Sequence, residues 1–384
     1  QGLGGRVATR RARHDGVTDG SPRDRRLTAS LRGGRPGRRG NLVPGTASAG
    51  TKRHAAGLVK WPPPNNRNTP RMILTVTPNP CVDKTVFIAR LEPGGRFRSP
   101  KCTHIPGGKG TNVSRAVKAL GGDTGALVIV GGHTGRHVVD MIEQQDGVRC
   151  VPVWVAGMTR VITTVLETDV HRQTALFDPG SPVNAAEGDA VAAAFGREVR
   201  GAAVATFNGS VPDPALVDLY VRCIPLARDA GAFTILDSYG EEFRRGIAAG
   251  PDMVKPNREE AERLLGRKLG SRADCWDAVD AFHGMGVPLV VLSLGAEGAL
   301  VSRKGGPRLE VTPPPIEEVN PVGSGDALVA GFATGIERGL PLHETARLAV
   351  ACGTANALSW DIGHFTTKEV EELAARVRVA ALES

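Results

Sequence analysis

The sequence predicts an α/β fold with a mostly parallel central sheet. Short apolar runs rich in β-branched residues, such as 72–77, 125–132 and 288–294, alternate with segments of helical apolar spacing such as 113–120. One strand and the helix after it take about 30 residues, as in a parallel strand followed by a right-handed crossover. With 384 residues, 41% of them hydrophobic, the chain can form a large core in one or two domains.

The net positive charge of the chain comes entirely from its N-terminal segment. Residues 1–71 hold 16 of the 48 Lys and Arg but 3 of the 40 Asp and Glu, so they carry a net +13 and the remainder a net −5. Few apolar residues and no periodicity predict a disordered basic extension. Because Met72 is the first methionine, we interpret the extension 1–71 as a translated upstream region or the result of a mis-called start. An RNA-binding or targeting arm is the alternative. The acidic remainder argues against nucleic acid as a partner.

The cysteines indicate a cytoplasmic protein with reduced thiols. They are scattered, without a CxxC pair or a His-Cys cluster, so neither a disulfide framework nor a zinc site is expected. No apolar run approaches the roughly 20 residues that a membrane-spanning helix needs, so no membrane partner is expected.

The segment 320–332, NPVGSGDALVAGF, points to phosphoryl transfer. Gly323, Ser324 and Gly325 form a turn before an apolar helix, whose first N–H groups lack partners and attract an anion. Asp326 lies in the first helical turn, where its carboxylate could accept a proton from a hydroxyl that attacks a phosphorus held there. The alternative is a helix cap beside a turn.

Two further motifs follow the first predicted strand. Asp83 is placed at the carboxyl end of that strand, which faces the ligand crevice in an open sheet, so it could bind ligand hydroxyls; a turn aspartate is the alternative. In PGGKGTN, at 106–112, glycines such as Gly108 let the backbone approach a ligand, while Lys109 offers a charge and Asn112 a donor and an acceptor. A flexible loop would explain the glycines equally well.

These motifs resemble the signatures of the ribokinase-like sugar kinases, in the branch that contains the PfkB-type bacterial phosphofructokinases. GSGD resembles their GAGD, GGKGTN their first signature, and NPCVD their sugar-contacting start. NGSVP at 208–212 resembles their SGSLP turn, with Asn208 and Asp213 as departures, and SLGAEG at 293–298 their nucleotide-binding SLGxxG. The matches follow the family order from position 72 to about 377. No P-loop and no protein-kinase HRD or DFG motif is present.

The resemblance implies a three-layer αβα sandwich with a small β lid. The kinase domain would span 72–384, with lid segments near 84–106 and 159–178 that cover the sugar site and mediate a homodimer. ATP and Mg²⁺ would be required, with Asp326 as the catalytic base beside the N–H groups of Gly323, Ser324 and Gly325. The implied ligand contacts are Asp83, Arg96, Gly108, Lys109, Asn112 and Arg160 for the sugar; Lys255, Ser293, Gly295, Gly298 and Asn356 for the nucleotide; and Asn257 and Glu260, through water, for the metal.

Arg160 favours a phosphorylated sugar. In the phosphosugar branch a Thr-Arg pair at this place resembles the one whose Arg grips the substrate phosphate, a task that suits a guanidinium. Ile162 stands where the family often has Asn, so the exact sugar stays open. Arg96 and Arg98 would share one face of a predicted strand, and one could reach the phosphate; two solvated arginines are the alternative.

On the nucleotide side, capping of a helix explains Asn257 without any ligand, and Asn356 is either near adenine or a polar residue of a core helix.

The resemblance implies an ATP-dependent kinase for a ketohexose phosphate, converting fructose 1-phosphate to fructose 1,6-bisphosphate. Tagatose-6-phosphate kinase, which GSGD also suits, and 6-phosphofructokinase are the alternatives. A non-catalytic sugar-phosphate-binding regulator is an alternative of another class, against which the presence of Asp326 argues.

Overall fold

The computed structural model describes residues 72–382, and the predicted basic extension at 1–71 lies outside them. The strands are β1 (Met72–Thr77), β2 (Cys81–Ile88), β3 (Lys101–Gly107), β4 (Thr124–Val130), β5 (Arg149–Trp154), β6 (Arg160–Glu167), β7 (Arg172–Phe177), β8 (Ala202–Asn208), β9 (Phe233–Asp237), β10 (Met253–Val254), β11 (Leu289–Ser293), β12 (Ala299–Arg303), β13 (Arg308–Thr312) and β14 (Arg378–Leu382). The helices are α1 (Lys109–Ala119), α2 (Gly132–Gln144), α3 (Ala185–Glu198), α4 (Leu219–Asp229), α5 (Gly240–Ala248), α6 (Arg258–Leu265), α7 (Arg272–Gly284), α8 (Ser324–Glu337), α9 (Leu342–Ala357) and α10 (Thr367–Ala374).

Within residues 72–382, ten strands form one large sheet in the order β14-β13-β12-β11-β10-β9-β8-β1-β4-β5. All neighbours from β11 to β5 are parallel, whereas β12, β13 and β14 extend the sheet in antiparallel pairs. Every residue of β1 is buried, as expected for a central strand covered on both faces. The prediction of a mostly parallel sheet is therefore confirmed.

Helices cover both faces of this sheet and make it the middle of three layers. On one face α1, α8, α9 and α10 pack around Val113, Val329 and Phe332. On the other face α3 to α7 enclose a cluster rich in aromatic rings, including Phe207 and Tyr220. Full burial of such a side chain contributes about 1.5–3 kcal/mol relative to its exposure.

Four strands form a second sheet in the order β3-β2-β6-β7. Strands β2 and β6 pair in parallel, while β3 and β7 add antiparallel edges. They occupy the two segments predicted to form a lid, and their role as a lid stays a prediction. Asp83 lies inside β2, opposite Ile105 and Ile162, so its predicted place at the end of the first strand is wrong. The chain starts a new strand at Cys81 because β6 provides a parallel partner there.

The predicted strand around Arg96 and Arg98 is also wrong. Both arginines are exposed in the connection between β2 and β3, and β3 begins only at Lys101. The intervening Pro93, Gly94 and Gly95 interrupt the pairing that β2 makes with β3, so the two arginines do not share a strand face.

The carboxyl ends of β1, β8 and β9 lie side by side, since β8 pairs in parallel with both of the other strands. The register places Asn208 opposite Asp237. Helix α1 begins at this edge, because the Lys109 side chain at its start contacts Asp237. Ligand crevices of open parallel sheets lie at such an edge. In the described part of the chain no helix has the length and apolar character to span a bilayer, and all six cysteines are free thiols.

Gly331→Ala should lower the free energy of unfolding by about 1–3 kcal/mol, as overpacking typically does. The added methyl would lie 2.4 Å from the backbone Cα of Ala349, where α8 crosses α9. Gly196→Ala is the matched control, since its Cβ would meet only Leu226 at 3.6 Å. We expect that control to be neutral or more stable by up to about 1 kcal/mol. Urea unfolding measures both, and equal values would contradict the close helix crossing.

Candidate active site

The turn before α8 requires glycine at its centre. Gly323 is the N-cap of α8 and has a φ of 83°, in the left-handed region that side chains disfavour. A Cβ at this position would also lie 2.3 Å from Cγ2 of Ile362. The Ser324 N–H donates to the Pro321 carbonyl at 3.1 Å, so the predicted place of Ser324 in the anion-binding turn needs correction, and the roles of the Gly323 and Gly325 N–H groups stay a prediction. Lys255 lies beside this turn, because a Cβ at Gly325 would be 3.5 Å from the Lys255 ammonium.

Asn356 stabilises this turn by hydrogen bonds from its buried side. Its Nδ2 donates to the carbonyl of Val322 at 2.8 Å and to Ser324 Oγ at 3.2 Å, while its Oδ1 accepts from Gly363 N at 2.8 Å. The side chain is 1% exposed. The predicted contact between Asn356 and a nucleotide therefore needs correction, because the amide is buried and its hydrogen bonds go to the chain itself.

Asp326 is buried in the first turn of α8. Its Oδ2 accepts a hydrogen bond from Asn112 Nδ2 at 2.8 Å. Burial raises the pKa of the carboxyl to about 6, Lys109 and Lys255 oppose this shift, and Asp237 adds to it. A carboxyl with this pKa is mostly ionised at neutral pH and is a stronger base than an exposed aspartate, as a group that accepts a proton should be.

Asp237, at the end of β9, accepts from two lysines. Its Oδ1 lies 3.2 Å from Lys255 Nζ and 3.5 Å from Lys109 Nζ, and Lys109 also contacts Glu260 Oε1 at 3.3 Å. Burial lowers the pKa of Lys109, but Asp237, Glu260 and Asp326 together outweigh burial, so the pKa is raised and the ammonium stays charged. The other oxygen of Asp237, Oδ2, is buried and has no hydrogen-bond partner within the described residues.

The glycine-rich loop lies directly on the end of β1. Gly108 has a φ of 122°, and a Cβ there would be 2.6 Å from Thr77 Cγ2. A Cβ at Gly110 would be 2.3 Å from Thr77 Oγ1 and 2.9 Å from the carbonyl of Val76. These contacts explain why glycine is needed at both positions. They also place Lys109 and Asn112 at the start of α1, beside Asp237 and Asp326 respectively.

Arg160 and Asp83 lie on neighbouring strands of the second sheet. Arg160 begins β6, opposite Cys81 in β2, and its Nη2 donates to the carbonyl of Asn79 at 3.1 Å. Its Nε is buried and lacks a partner within residues 72–382. Burial raises the pKa of Asp83, while Arg115 and Arg160 oppose the rise. The Arg160 guanidinium therefore has a donor without a partner in the described chain, close to the carboxyl group of Asp83.

Asn257 and Glu260 form a capping box at the start of α6. Asn257 Oδ1 accepts from Glu260 N at 2.8 Å, and Glu260 Oε2 accepts from Asn257 N at 2.9 Å. The capping role is confirmed, and the role in binding metal stays a prediction. Asn257 also bridges to Ser293, at the end of β11, and Gly295 and Gly298 follow with φ of 61° and 89°.

Most of the predicted site residues meet at one edge of the sheet, with two exceptions. Arg96 is exposed on its loop, and Asn356 is buried behind the turn. Sequence reasoning missed the role of Asp237, the last residue of β9. It also missed four partly exposed apolar side chains next to the turn, Val319, Val322, Leu358 and Trp360. Asn320 Nδ2 donates to the Trp360 carbonyl and ties two of these segments together. The arrangement joins a buried carboxyl group, a helix N-terminus and two lysines, which suits phosphoryl transfer.

Comparisons with known proteins agree with this geometry. The family model described as pfkB family carbohydrate kinase matches residues 76–361. A 1-phosphofructokinase from Xanthomonas campestris pv. campestris is 33% identical over 315 residues, covering 80% of this chain and 98% of the relative. A tagatose-6-phosphate kinase from Staphylococcus epidermidis is 30% identical over 311 residues, covering 80% of this chain and 99% of the relative. The structure of the tetrameric inhibited form of phosphofructokinase-2 from Escherichia coli has a TM-score of 0.74 at 28% identity, covering 80% of this chain and 99% of that one.

The protein is therefore a carbohydrate kinase, a phosphotransferase that acts on a hydroxyl group. More specifically, the chain belongs to the pfkB family. The predicted ribokinase-like α/β fold is confirmed by the same similarity to solved kinase structures.

Asp237→Asn should lower the free energy of unfolding by about 3–5 kcal/mol, because it leaves the buried ammonium of Lys255 without a carboxylate. The matched control is Asp189→Asn. Asp189 pairs with Arg222 at 2.8 Å but is 74% exposed, so we expect a change within about 1 kcal/mol. Chemical unfolding at neutral pH compares the two. A loss for Asp237→Asn no larger than the control would show that the buried pair is not needed for stability.

Proposed function

We propose that this kinase transfers the γ-phosphoryl group of ATP to a ketohexose phosphate, with fructose 1-phosphate converted to fructose 1,6-bisphosphate. The observation that carries the phosphosugar is Arg160, whose buried Nε has no partner within the described chain. A buried guanidinium N–H needs an acceptor, and a phosphate oxygen is the strongest that a sugar substrate can offer. The named relatives, a 1-phosphofructokinase and a tagatose-6-phosphate kinase, support the same substrate class.

Asp326 is the proposed base. Its carboxylate would take the proton from the attacking sugar hydroxyl as that oxygen bonds to the γ-phosphorus and the bond to the β-phosphate oxygen breaks. The N–H groups of Gly323 and Gly325 would stabilise the charge on the transferred group, whereas the Ser324 N–H already donates to the Pro321 carbonyl. Holding both reactants in line accounts for much of the acceleration in such reactions.

The sugar would be oriented from the second sheet and from α1. Asp83 in β2 and Asn112 in α1 offer acceptors and donors to hydroxyl groups, and the backbone at Gly108 can approach the sugar closely. Lys109 carries a positive charge at the same edge, although Asp237 and Glu260 already neutralise much of it. We therefore propose that Lys109 acts mainly on the phosphates and less on sugar hydroxyls.

The nucleotide would lie on the side of the turn that faces β11. Gly295, Gly298 and Ser293 remain the proposed contacts for ribose and phosphates. The apolar side chains of Val322 and Trp360 are exposed beside the turn and offer a surface for a flat base. This proposal replaces Asn356 as the contact to adenine.

The residues present fit a magnesium ion bound with the nucleotide. The orphaned Oδ2 of Asp237 and the carboxylate of Glu260 are hard oxygen donors, which Mg²⁺ prefers, directly or through water. Asn257 remains a predicted water-mediated contact. The bound ion would supply neutralisation of phosphate charge, and Lys255 would add to it from beside Gly325. No group of three or more His, Cys, Asp and Glu side chains in the described residues forms a ready metal site.

A screen for ADP release tests the substrate. Purified protein is assayed with fructose 1-phosphate, fructose 6-phosphate, tagatose 6-phosphate and the free hexoses. We expect the highest kcat/KM with fructose 1-phosphate. A preference for either 6-phosphate would favour the 6-phosphofructokinase or tagatose-6-phosphate kinase alternative. Binding of a sugar phosphate without turnover would favour the regulator.

We also propose a cytoplasmic homodimer formed through the second sheet. Leu176 and Phe177, at the end of its edge strand β7, are 61% and 68% exposed, and exposed apolar side chains on an unpaired strand edge favour association. The phosphofructokinase-2 named above is described as tetrameric in its inhibited form. Sedimentation of the parent and of Phe177→Lys tests this proposal, and a monomeric parent would contradict it.

Asp326→Asn should reduce kcat by about 10²–10⁴-fold, the usual contribution of a general base, because the amide cannot accept a proton. In the parent, kcat/KM should fall as the pH decreases through about 6, since protonation of Asp326 removes the base. Rate measurements from pH 4.5 to 8 with Asp326→Asn as the comparison check both effects. Turnover of this variant within a few-fold of the parent would refute the assignment.

Arg160→Ala should lower kcat/KM for the phosphosugar by about 30-fold or more, because loss of a charge-assisted contact to phosphate removes at least 2 kcal/mol. Turnover of an unphosphorylated hexose should change little, since it presents no phosphate. Arg136→Ala, at an exposed site on α2, is the control and should affect neither substrate. Equal losses with both sugars would mean that Arg160 only supports the sheet.

A further inference from the structure

Arg115 is a buried arginine of α1 that none of the sequence motifs assigns. It lies three residues after Asn112, so both side chains share one face of the helix. Its nitrogens donate to four oxygens: Asn112 Oδ1 at 3.1 Å, Asp146 Oδ1 at 2.9 Å, the Pro106 carbonyl at 2.7 Å and the Ile362 carbonyl at 3.2 Å. Arg115 therefore joins the glycine-rich loop to the connection between α9 and α10.

The chemistry of a guanidinium determines how Asn112 is oriented. Arginine can only donate hydrogen bonds, so the oxygen of the Asn112 amide must face Arg115. The NH₂ group of the same amide then has to point the other way, where it donates to Asp326 Oδ2. The polarity of the whole chain of contacts, from Arg115 through Asn112 to Asp326, follows from the one member that cannot accept.

We propose that Arg115 is a positioning residue that keeps Asn112 as a donor to Asp326 and so maintains the proposed base in its ionised, oriented form. The inference rests on the proposed function of Asp326. Without Arg115 the Asn112 amide could turn over. Its oxygen would then face the Asp326 carboxylate, which only a protonated carboxyl could satisfy by donating.

Other charged groups face Asp326 and would remain in place. Lys109 from α1 and Lys255 from the segment after β10 favour the ionised form, whereas Asp237 from β9 opposes it. Arg115 contacts Asp326 through Asn112 and is paired with Asp146, and its charge also opposes the raised pKa of Asp83. Removal of Arg115 should therefore act on Asp326 through the hydrogen bond from Asn112, and any effect through Asp83 would persist after Asn112→Ala.

The test measures the pH profile of kcat/KM in a set of matched variants. The acid limb of that profile is the fall of kcat/KM at low pH, where the proposed base becomes protonated. Arg115→Met removes the donors, and the limb should move to higher pH by about one pH unit, the size expected for loss of a hydrogen bond to an ionised group. Arg115→Lys remains a donor without acceptor capacity and should keep the limb within about 0.3 pH units of the parent. Asp146→Asn weakens the ion pair but spares the contact with Asn112, so it should lower Tm without moving the limb.

A double-mutant cycle separates positioning from general loss of structure. Asn112→Ala removes the residue that links Arg115 to Asp326. The double variant Asn112→Ala/Arg115→Met should therefore show no further movement of the acid limb, although its Tm falls further. If Arg115→Met does not fold, Arg115→Gln replaces it, because its amide can present either a donor or an acceptor and should also raise the limb.

Three results would overturn the proposal. The first is a limb that stays at the parent position in Arg115→Met or Arg115→Gln. The second is an equal movement in Arg115→Lys and Arg115→Met. The third is a shift that persists in full after Asn112→Ala. Failure of the proposed function looks different, because then Asp326→Asn itself would retain the turnover and the acid limb of the parent.

Discussion

A single buried carboxylate oxygen, Asp237 Oδ1, receives the ammonium groups of Lys109 and Lys255. This contact joins the start of α1, the end of β9 and the segment between β10 and α6. Two cations in a buried environment repel each other unless a carboxylate lies between them, so the three segments can approach only together. Glu260, which also caps α6, supplies a second carboxylate to Lys109 and extends the network to that helix.

Close backbone approach is the second requirement of this edge. The glycine-rich loop lies against Thr77, the turn before α8 lies against Ile362, and α8 itself crosses α9 at Gly331. Each contact leaves no room for a Cβ, so the geometry of α1 and α8 depends on hydrogen atoms at these positions. The two helix N-termini are thereby held beside Asp237 and Asp326.

The site combines features that work against stability elsewhere in a protein. Asp326 is buried and partly neutral near pH 6, Asp237 has an oxygen without a partner in the described chain, and Arg160 has a buried donor without one. Such unsatisfied groups destabilise a fold unless a ligand completes them. Sequence patterns predicted Asp326 and Arg160 because motifs surround them. They did not predict Asp237 or Arg115, whose partners come from distant segments, at separations of 128 residues for Lys109–Asp237 and 247 for Arg115–Ile362.

Local sequence by itself predicted central buried strands such as β1, β4 and β11 and the helix that begins at Ser324, because periodicity and helix capping act over a few residues. It left open whether the glycines of the 106–112 loop serve a ligand or a flexible loop. It also misplaced Asp83 and the strand around Arg96, since strand pairing depends on which partner the tertiary fold provides. Only the tertiary structure decided that Asn356 faces inward and that Arg115 donates to Asn112. Hydrogen-bond partners and burial arise between segments far apart in the chain, and no short pattern contains them.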